Sequence, residues 1–262
     1  MSSFFKSPVV LLFTVYFVFG FLYDSYLWTL PSHTTAWNYW MNFVFGSMFT
    51  LGGIYGIYHA FKSGISSSIG RALFLIGAAL VMWALGQYLW GYYNLVLGVE
   101  VPYPSWVDPL LLSFYFLLGA GVIILIKLFS PSITKRVVLD SAALGLVSGA
   151  IIIFIMRPDL SPELPTIIKV LNVLYPLGTA ILVALTLIIM RIGGGSIRNS
   201  FPLFAVGLVI HALTAFIYGY SITNGTYWNG GFVELAGLVS GYFLSIGLAK
   251  IIYNYNSKPA SS

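Results

Sequence analysis

Two acidic residues, each at the start of a long apolar stretch and each preceded by an aromatic-rich loop, are the first candidates for chemistry. Asp108 follows Val101-Pro-Tyr-Pro-Ser-Trp-Val, and Glu234 follows Asn229-Gly-Gly231 after a similar aromatic run. A carboxylate in the first turn of a helix satisfies free amide groups and favours the positive end of the helix dipole. The same carboxylate could instead contact a ligand. Both interpretations, capping and ligand contact, stay open for Asp108 and Glu234.

Other polar candidates lie within apolar stretches, where burial is costly and therefore suggests function. Lys169 lies near the start of such a stretch. It either contacts a ligand or extends its ammonium group to the lipid headgroups. His211, Thr214, Tyr218 and Ser221 are spaced i, i+3, i+7 and i+10, so they form one polar stripe on a helix. This stripe either lines a cavity or bridges neighbouring helices.

Aromatic residues surround these positions. Six of the seven tryptophans lie at the ends of apolar stretches or in the loops on one side, which is typical of an interfacial belt or of an aromatic recess. Pro176 removes a backbone donor from its helix and can open it toward a cavity. We predict these ligand-binding residues: Tyr88, Trp90, Asp108, Lys169, Tyr175, His211, Tyr218 and Glu234.

Several kinds of chemistry are excluded or disfavoured. The chain has no cysteine, which removes disulfides, thiolate catalysis and Cys-bound metals. There is no HExxH or phosphate-loop motif, and Gly193–Gly195 is interpreted as a flexible turn. His59 and His211 lie at different depths, which disfavours a shared haem. We predict no catalytic residue, no metal ligand and no cofactor, and an enzyme acting on lipid is the least favoured class.

The composition fixes the fold class. Of 262 residues, 59% are hydrophobic and 7% are charged, which is too little polar surface for a soluble protein of this size. Continuous apolar runs long enough to cross a bilayer recur along the chain. They predict an all-α, polytopic membrane protein, residues 1–262 forming one domain that contacts the lipid bilayer. The eight predicted spans are 8–29, 37–61, 71–95, 105–128, 136–157, 164–190, 201–223 and 231–253.

The basic residues predict the orientation. They are scattered between spans and form no stripe for nucleic acid, which we exclude as a partner. Ten lie on one side and two on the other, so both termini are predicted to be cytoplasmic in a cell membrane. Asp108 precedes Lys127 by nineteen residues, about 28 Å of helix, and so lies near the outer interface with Asp24, Glu234 and Lys169. The ten are Lys6, Lys62, Arg71, Lys127, Lys135, Arg136, Arg191, Arg198, Lys250 and Lys258; the two are Arg157 and Lys169.

Two halves of the chain align weakly with each other. An offset of 130 aligns Gly77 with Gly207 and Tyr88 with Tyr218, whereas an offset of 126 aligns the acids Asp108 and Glu234. Four helices per half, each half starting from the cytoplasm, predict parallel repeats related by an axis along the membrane normal. The predicted halves are residues 1–130 and 131–256.

Several short motifs resemble those of a known module. Trp90-Gly-Tyr-Tyr, Val101-Pro-Tyr-Pro-Ser-Trp-Val-Asp and Leu174-Tyr-Pro-Leu are similar to the aromatic cluster, the P-x-P-S-x-x-D loop and the Y-P-L motif of one bacterial family. That family is the multi-helix membrane sensor module found ahead of diguanylate cyclases and histidine kinases. The resemblance covers residues 70–250 and implies a sensory role. The chain departs from it after Pro176 and Leu177, where an aspartate is common and this chain has Gly178 or Thr179, and at Glu234, which replaces an aspartate.

The leading hypothesis is a membrane-embedded sensory or small-ligand-binding module with an extracytoplasmic aromatic and acidic recess. Only a short segment follows the last predicted span, so we expect a separate cytoplasmic or membrane partner to carry the signal. A small-solute or proton-coupled transporter is the first alternative, supported by the repeat and by His211. A structural subunit of a membrane complex is the second.

Overall fold

The structure is a computed structural model that describes residues 3–129, 134–156, 160–191 and 200–257. It confirms the all-α prediction: these residues form a short 3₁₀ helix, Ser3–Lys6, followed by eight α-helices. The predicted stretches match the helices to within a few residues at most ends. The helices are α1 (Pro8–Leu27), α2 (Ala36–Lys62), α3 (Ser68–Leu95), α4 (Val107–Phe129), α5 (Lys135–Met156), α6 (Thr166–Met190), α7 (Phe201–Thr223) and α8 (Phe232–Asn256).

Six helices of the described ranges are long and apolar enough to cross a membrane: α1, α3, α4, α6, α7 and α8. This indicates a multi-pass membrane protein, as the composition predicted. Three basic residues that entered the sequence analysis, Arg157, Arg198 and Lys258, and the Gly193–Gly195 turn lie outside the described residues.

The helices form a closed ring with two outer helices. Around the ring, α2 packs on α3, α3 on α4, α4 on α6, α6 on α7, α7 on α8, and α8 again on α2. Helix α1 lies outside the ring against α2 and α8, whereas α5 lies outside against α6 and α7. Each ring helix therefore presents one side to the interior and another to a neighbour or to lipid.

Small residues set the close spacing of the ring helices, as is common in membranes. A Cβ atom placed on Gly53 of α2 would lie 2.7 Å from the carbonyl oxygen of Gly77 of α3. A Cβ atom on Gly247 of α8 would lie 2.5 Å from the backbone nitrogen of Phe204 in α7. These positions admit only hydrogen, and the close backbone contacts hold neighbouring ring helices in a fixed relation.

Candidate functional site

The carboxylate of Asp108 closes the start of α4 and joins that helix to α6. Its Oδ2 accepts the backbone N–H of Ser105 at 2.7 Å, while the hydroxyl oxygen of Ser105 accepts the N–H of Val107 at 3.2 Å. Its Oδ1 accepts the hydroxyl of Tyr175, on α6, at 2.7 Å. Asp108 is therefore both a helix cap and a bridge between two ring helices.

Glu234 has the same arrangement at the start of α8. Its Oε2 accepts the N–H groups of Gly231 at 3.1 Å and Gly230 at 3.2 Å, and its Oε1 accepts the hydroxyl of Tyr227 at 2.7 Å. Gly230 has a φ of +87°, a conformation that favours glycine and turns its N–H toward the carboxylate. Burial, and then the Glu234 carboxylate, raise the pKa of Tyr227 well above its ordinary value, so this phenol stays protonated and donates.

The hydrogen bonds of both acids match the capping interpretation. In each case one oxygen accepts the N–H of the residue three positions earlier, and the other accepts a tyrosine hydroxyl at 2.7 Å. Asp108 is 5% exposed and Glu234 is 2% exposed. Contact of these acids with a ligand stays a prediction, and the caps fix where their remaining lone pairs lie.

Three aromatic rings connect the two acidic helix starts. Trp90 of α3, Tyr218 of α7 and Tyr227 of the following loop are in mutual edge contact, with centroids 5.2 to 6.3 Å apart. The Tyr218 hydroxyl lies within electrostatic range of both Glu234 and Asp108. All three rings are half-buried and remain partly accessible at the end of the ring where α4 and α8 begin. We call Trp90, Asp108, Tyr175, Tyr218, Tyr227 and Glu234 the outer cluster, since the sequence predicts that this end faces away from the cytoplasm.

Two further hydrogen bonds hold the outer loops onto ring helices. The hydroxyl of Tyr103 donates to Asn172 Oδ1 of α6 at 2.7 Å, and Asn42 Nδ2 of α2 donates to Asn229 Oδ1 at 2.9 Å. Partial burial, and then the nearby Asp108 carboxylate, raise the pKa of Tyr103 to about 12, so it remains a donor. Sequence reasoning did not select these residues as a site. Residues 42 and 172 differ by 130 and residues 103 and 229 by 126, which are the offsets already seen between the halves.

Two predicted site residues lie away from the outer cluster. The hydroxyl of Tyr88 is 2.7 Å from Thr50 Oγ1 and 3.0 Å from Ser47 Oγ, and the ring stacks on Phe43, so Tyr88 packs α3 against α2. Lys169 is half-buried in the first turn of α6 and forms no ion pair within 4 Å with the residues that the structure describes. The structure thus brings together five of the eight predicted residues.

His211 lies in the middle of the ring, below the outer cluster. It is 1% exposed, and its Nδ1 lies 3.3 Å from Ser240 Oγ. When Ser240 donates its hydrogen to the carbonyl oxygen of Gly207 at 3.1 Å, the Nδ1 of His211 carries the proton in its contact with Ser240. The Nε2 atom then carries a lone pair, and no residue of the described chain donates to it.

Aromatic rings from three helices fill the space around this imidazole. The ring centroid of His211 lies 4.4 Å from that of Trp83 on α3, 4.5 Å from Phe114 on α4 and 6.0 Å from Phe49 on α2. Phe114 and Phe49 are fully buried. The middle of the ring is therefore a packed aromatic layer, and the polar stripe that contains His211 is interrupted there.

The outer cluster suits the binding of an organic ligand better than that of a metal. Its two carboxylates already accept hydrogen bonds from fixed donors, and much of its remaining surface is aromatic. Within the described ranges, no group of three or more His, Asp or Glu side chains is arranged to hold a metal ion. No family model, curated protein or solved structure matches this chain.

Proposed function

We propose that this protein is a membrane-embedded sensory or small-ligand-binding module whose ligand binds at the outer cluster and whose signal passes to a separate partner. The observation that carries the proposal is the connection of two capped acids, Asp108 and Glu234, through one set of aromatic rings. A ligand that contacts this set would touch α3, α4, α7 and α8 at once. The ligand could therefore change the packing angles between these helices.

The chemistry of the outer cluster favours a ligand that donates hydrogen bonds or carries positive charge. The carboxylates and the aromatic faces offer electron density, and a cation lies favourably over an aromatic ring. Tyr218 is the best point of contact, because its hydroxyl interacts electrostatically with both acids and is not engaged in any hydrogen bond among the described residues. Polyamines, amino acids and amino sugars are therefore the first probes.

Pseudo-symmetry of the ring supports the proposed arrangement of two halves, 1–130 and 131–256. A shift of four helices maps the ring order α2, α3, α4, α6, α7, α8 onto itself. The same shift relates the Asp108 cap to the Glu234 cap, and the contact between Asn172 and Tyr103 to that between Asn42 and Asn229. We propose on this basis that α2 and α5 also span the membrane, as the partners of α6 and α1, giving eight spans with both termini cytoplasmic.

The packed layer around His211 separates this proposal from transport. A transporter needs a path through the bilayer, whereas four aromatic or imidazole rings fill the ring interior at this level. An outer cluster above a filled layer suits a ligand that binds and leaves on the same side. The filled layer is also compatible with a structural subunit. In that case no ligand would change the thermal stability of the protein.

A ligand screen with matched variants tests the proposal. Thermal stability of the purified protein would be measured with spermidine, the standard amino acids and glucosamine, in the wild type, Tyr218→Phe and Tyr220→Phe. We expect at least one probe to stabilise the wild type and Tyr220→Phe, since Tyr220 is 53% exposed and lies outside the cluster. The apparent affinity for that probe, obtained from the dependence of the melting temperature on probe concentration, should fall at least tenfold in Tyr218→Phe. An equal response in both variants would contradict binding at the outer cluster.

A flux measurement tests the transport alternative. Proteoliposomes loaded with a pH-sensitive dye would report proton flux in the wild type and in His211→Ala, which opens the packed layer. Our proposal predicts no flux in the wild type. Flux in the wild type that His211→Ala abolishes would favour the transporter instead.

A further inference from the structure

A third buried acidic residue, Asp24 of α1, has one carboxylate oxygen that lacks a hydrogen-bond partner among the described residues. The residue is 2% exposed. Its Oδ2 accepts the indole N–H of Trp28 at 3.2 Å, whereas its Oδ1 has no hydrogen-bond partner in the part of the chain that the structure describes. An unpaired carboxylate oxygen beside hydrocarbon is unfavourable. A hydrogen-bond donor from another molecule would satisfy this oxygen of Asp24.

Asp24 forms part of a groove between α1 and α8 that no proposed function above uses. The groove has a volume of about 320 Å³ and is lined by Phe21, Asp24, Ser25, Trp28, Phe232 and Leu235. Its aromatic side chains are 44 to 67% exposed, so the groove opens away from the ring. Because α1 lies outside the ring, this opening faces the surrounding lipid.

The lining selects the chemistry of the occupant. The unpaired Asp24 Oδ1 needs a hydrogen-bond donor, which a primary ammonium supplies and a quaternary ammonium does not. The Ser25 hydroxyl donates to the carbonyl of Phe21 at 2.8 Å, so its oxygen is free to accept as well. The faces of Trp28 and Phe232 attract a cation. No lysine or arginine lines the groove, so nothing in it attracts a headgroup that is only anionic.

We propose that this groove binds the primary ammonium of an aminophospholipid headgroup, such as phosphatidylethanolamine. The ammonium would lie against Asp24 and Ser25, beside the edge-to-face pair formed by Trp28 and Phe232, whose ring centroids are 5.2 Å apart. The acyl chains would follow the apolar surface of α1, where side chains such as Val18 are 47% exposed. Asp24 lies three residues before the end of α1, about 5 Å along the helix, which matches the depth of a headgroup.

Native mass spectrometry of the full-length protein tests this site. The protein would be released from micelles containing equimolar phosphatidylethanolamine and phosphatidylglycerol, and the lipids retained would be counted. We expect the wild type to prefer phosphatidylethanolamine by about tenfold, and Asp24→Asn to show almost no preference, because a charge-assisted hydrogen bond is lost. Asp140→Asn is the control, since it removes an acid that is 53% exposed and paired with Arg136. Its preference should equal that of the wild type.

A second variant covers the case in which Asp24→Asn does not fold. Leu235→Trp fills the groove without changing Asp24, and it should also abolish the preference. Soluble glycerophosphoethanolamine, added in excess, should leave the retained lipid in place, because it lacks the acyl chains. Equal retention of both lipids by the wild type, or an unchanged preference in the folded variants, would overturn the site. Displacement by the soluble headgroup would overturn the assignment to a lipid.

Discussion

The hydrogen bond between Tyr175 and Asp108 gives the sharpest test of the outer cluster, because removing one hydroxyl leaves a buried carboxylate oxygen without its donor. In Tyr175→Phe the Ser105 N–H still serves Asp108 Oδ2, and only Oδ1 is left unpaired. The bond is 2.7 Å long and the acid is 5% exposed, so we expect a loss of about 1.5–3 kcal/mol in unfolding free energy.

Unfolding by SDS in mixed micelles, followed by far-UV circular dichroism, would measure this change. Tyr220→Phe is the matched control: its ring is 53% exposed, so the expected change is within about 0.5 kcal/mol. A double-mutant cycle with Asp108→Asn isolates the contact and should give a coupling of about 1–2 kcal/mol. A coupling indistinguishable from zero, with both single variants folded, would refute the claim that this pair joins α4 to α6.

Three further predictions test other parts of the molecule. Gly247→Ala should lower stability by more than about 2 kcal/mol, since its Cβ atom would lie 2.5 Å from the backbone of α7, whereas Gly119→Ala should be nearly neutral because nothing lies closer than 3.7 Å. The same SDS titration measures both, and equal effects would contradict the close packing of α7 on α8. His211→Phe should change stability by less than about 1.5 kcal/mol, since a phenyl ring suits the aromatic layer and Ser240 keeps its bond to a carbonyl; a larger loss would assign the imidazole a stronger contact. Because the chain has no cysteine, Ser32→Cys should react with an impermeant maleimide added to intact cells and Ser257→Cys should react only after lysis, and the reverse pattern would invert the proposed orientation.

The sequence predicted the helices and the position of two acids, Asp108 and Glu234, at helix starts well, for a physical reason. An apolar run of about 20 residues has few alternatives to a spanning helix. An acid in the first turn after a turn-forming loop has a small set of amide groups within reach. Asp108 and Glu234 could therefore be placed at helix starts without knowing any contact between helices.

The side toward which each residue faces was harder to predict. Tyr88 and Trp90 are two residues apart near the same end of α3, yet Tyr88 packs on α2 whereas Trp90 joins the outer cluster. In a helix that is apolar on all sides, periodicity does not reveal the rotation about its axis. The partner of Asp108, Tyr175, is 67 residues away, and its role depends on α4 packing against α6. A pairing of that kind follows from the tertiary arrangement and is not visible in local sequence.

The polar stripe on α7 illustrates the same limit. The spacing of His211 and Tyr218 indicated a shared face, which either lines a cavity or bridges neighbouring helices. In the structure Tyr218 reaches the outer cluster, while His211 is enclosed by rings from other helices. Helical spacing identifies residues that share a face, but the neighbours decide whether that face is open.

Closure of the ring between α8 and α2 has a consequence for how the protein is made. Asn42 contacts Asn229, and Ser245 donates to the backbone of Met48 at 3.3 Å, so contacts of the first ring helix are supplied by the last one synthesised. While the ribosome is still making α3 to α7, the inward side of α2 has no permanent neighbour. The nascent chain must therefore remain without these contacts, with polar groups such as Asn42 in need of a temporary partner, until α8 has been synthesised. We expect this protein to depend on an insertase or a membrane chaperone more than a bundle assembled from consecutive pairs.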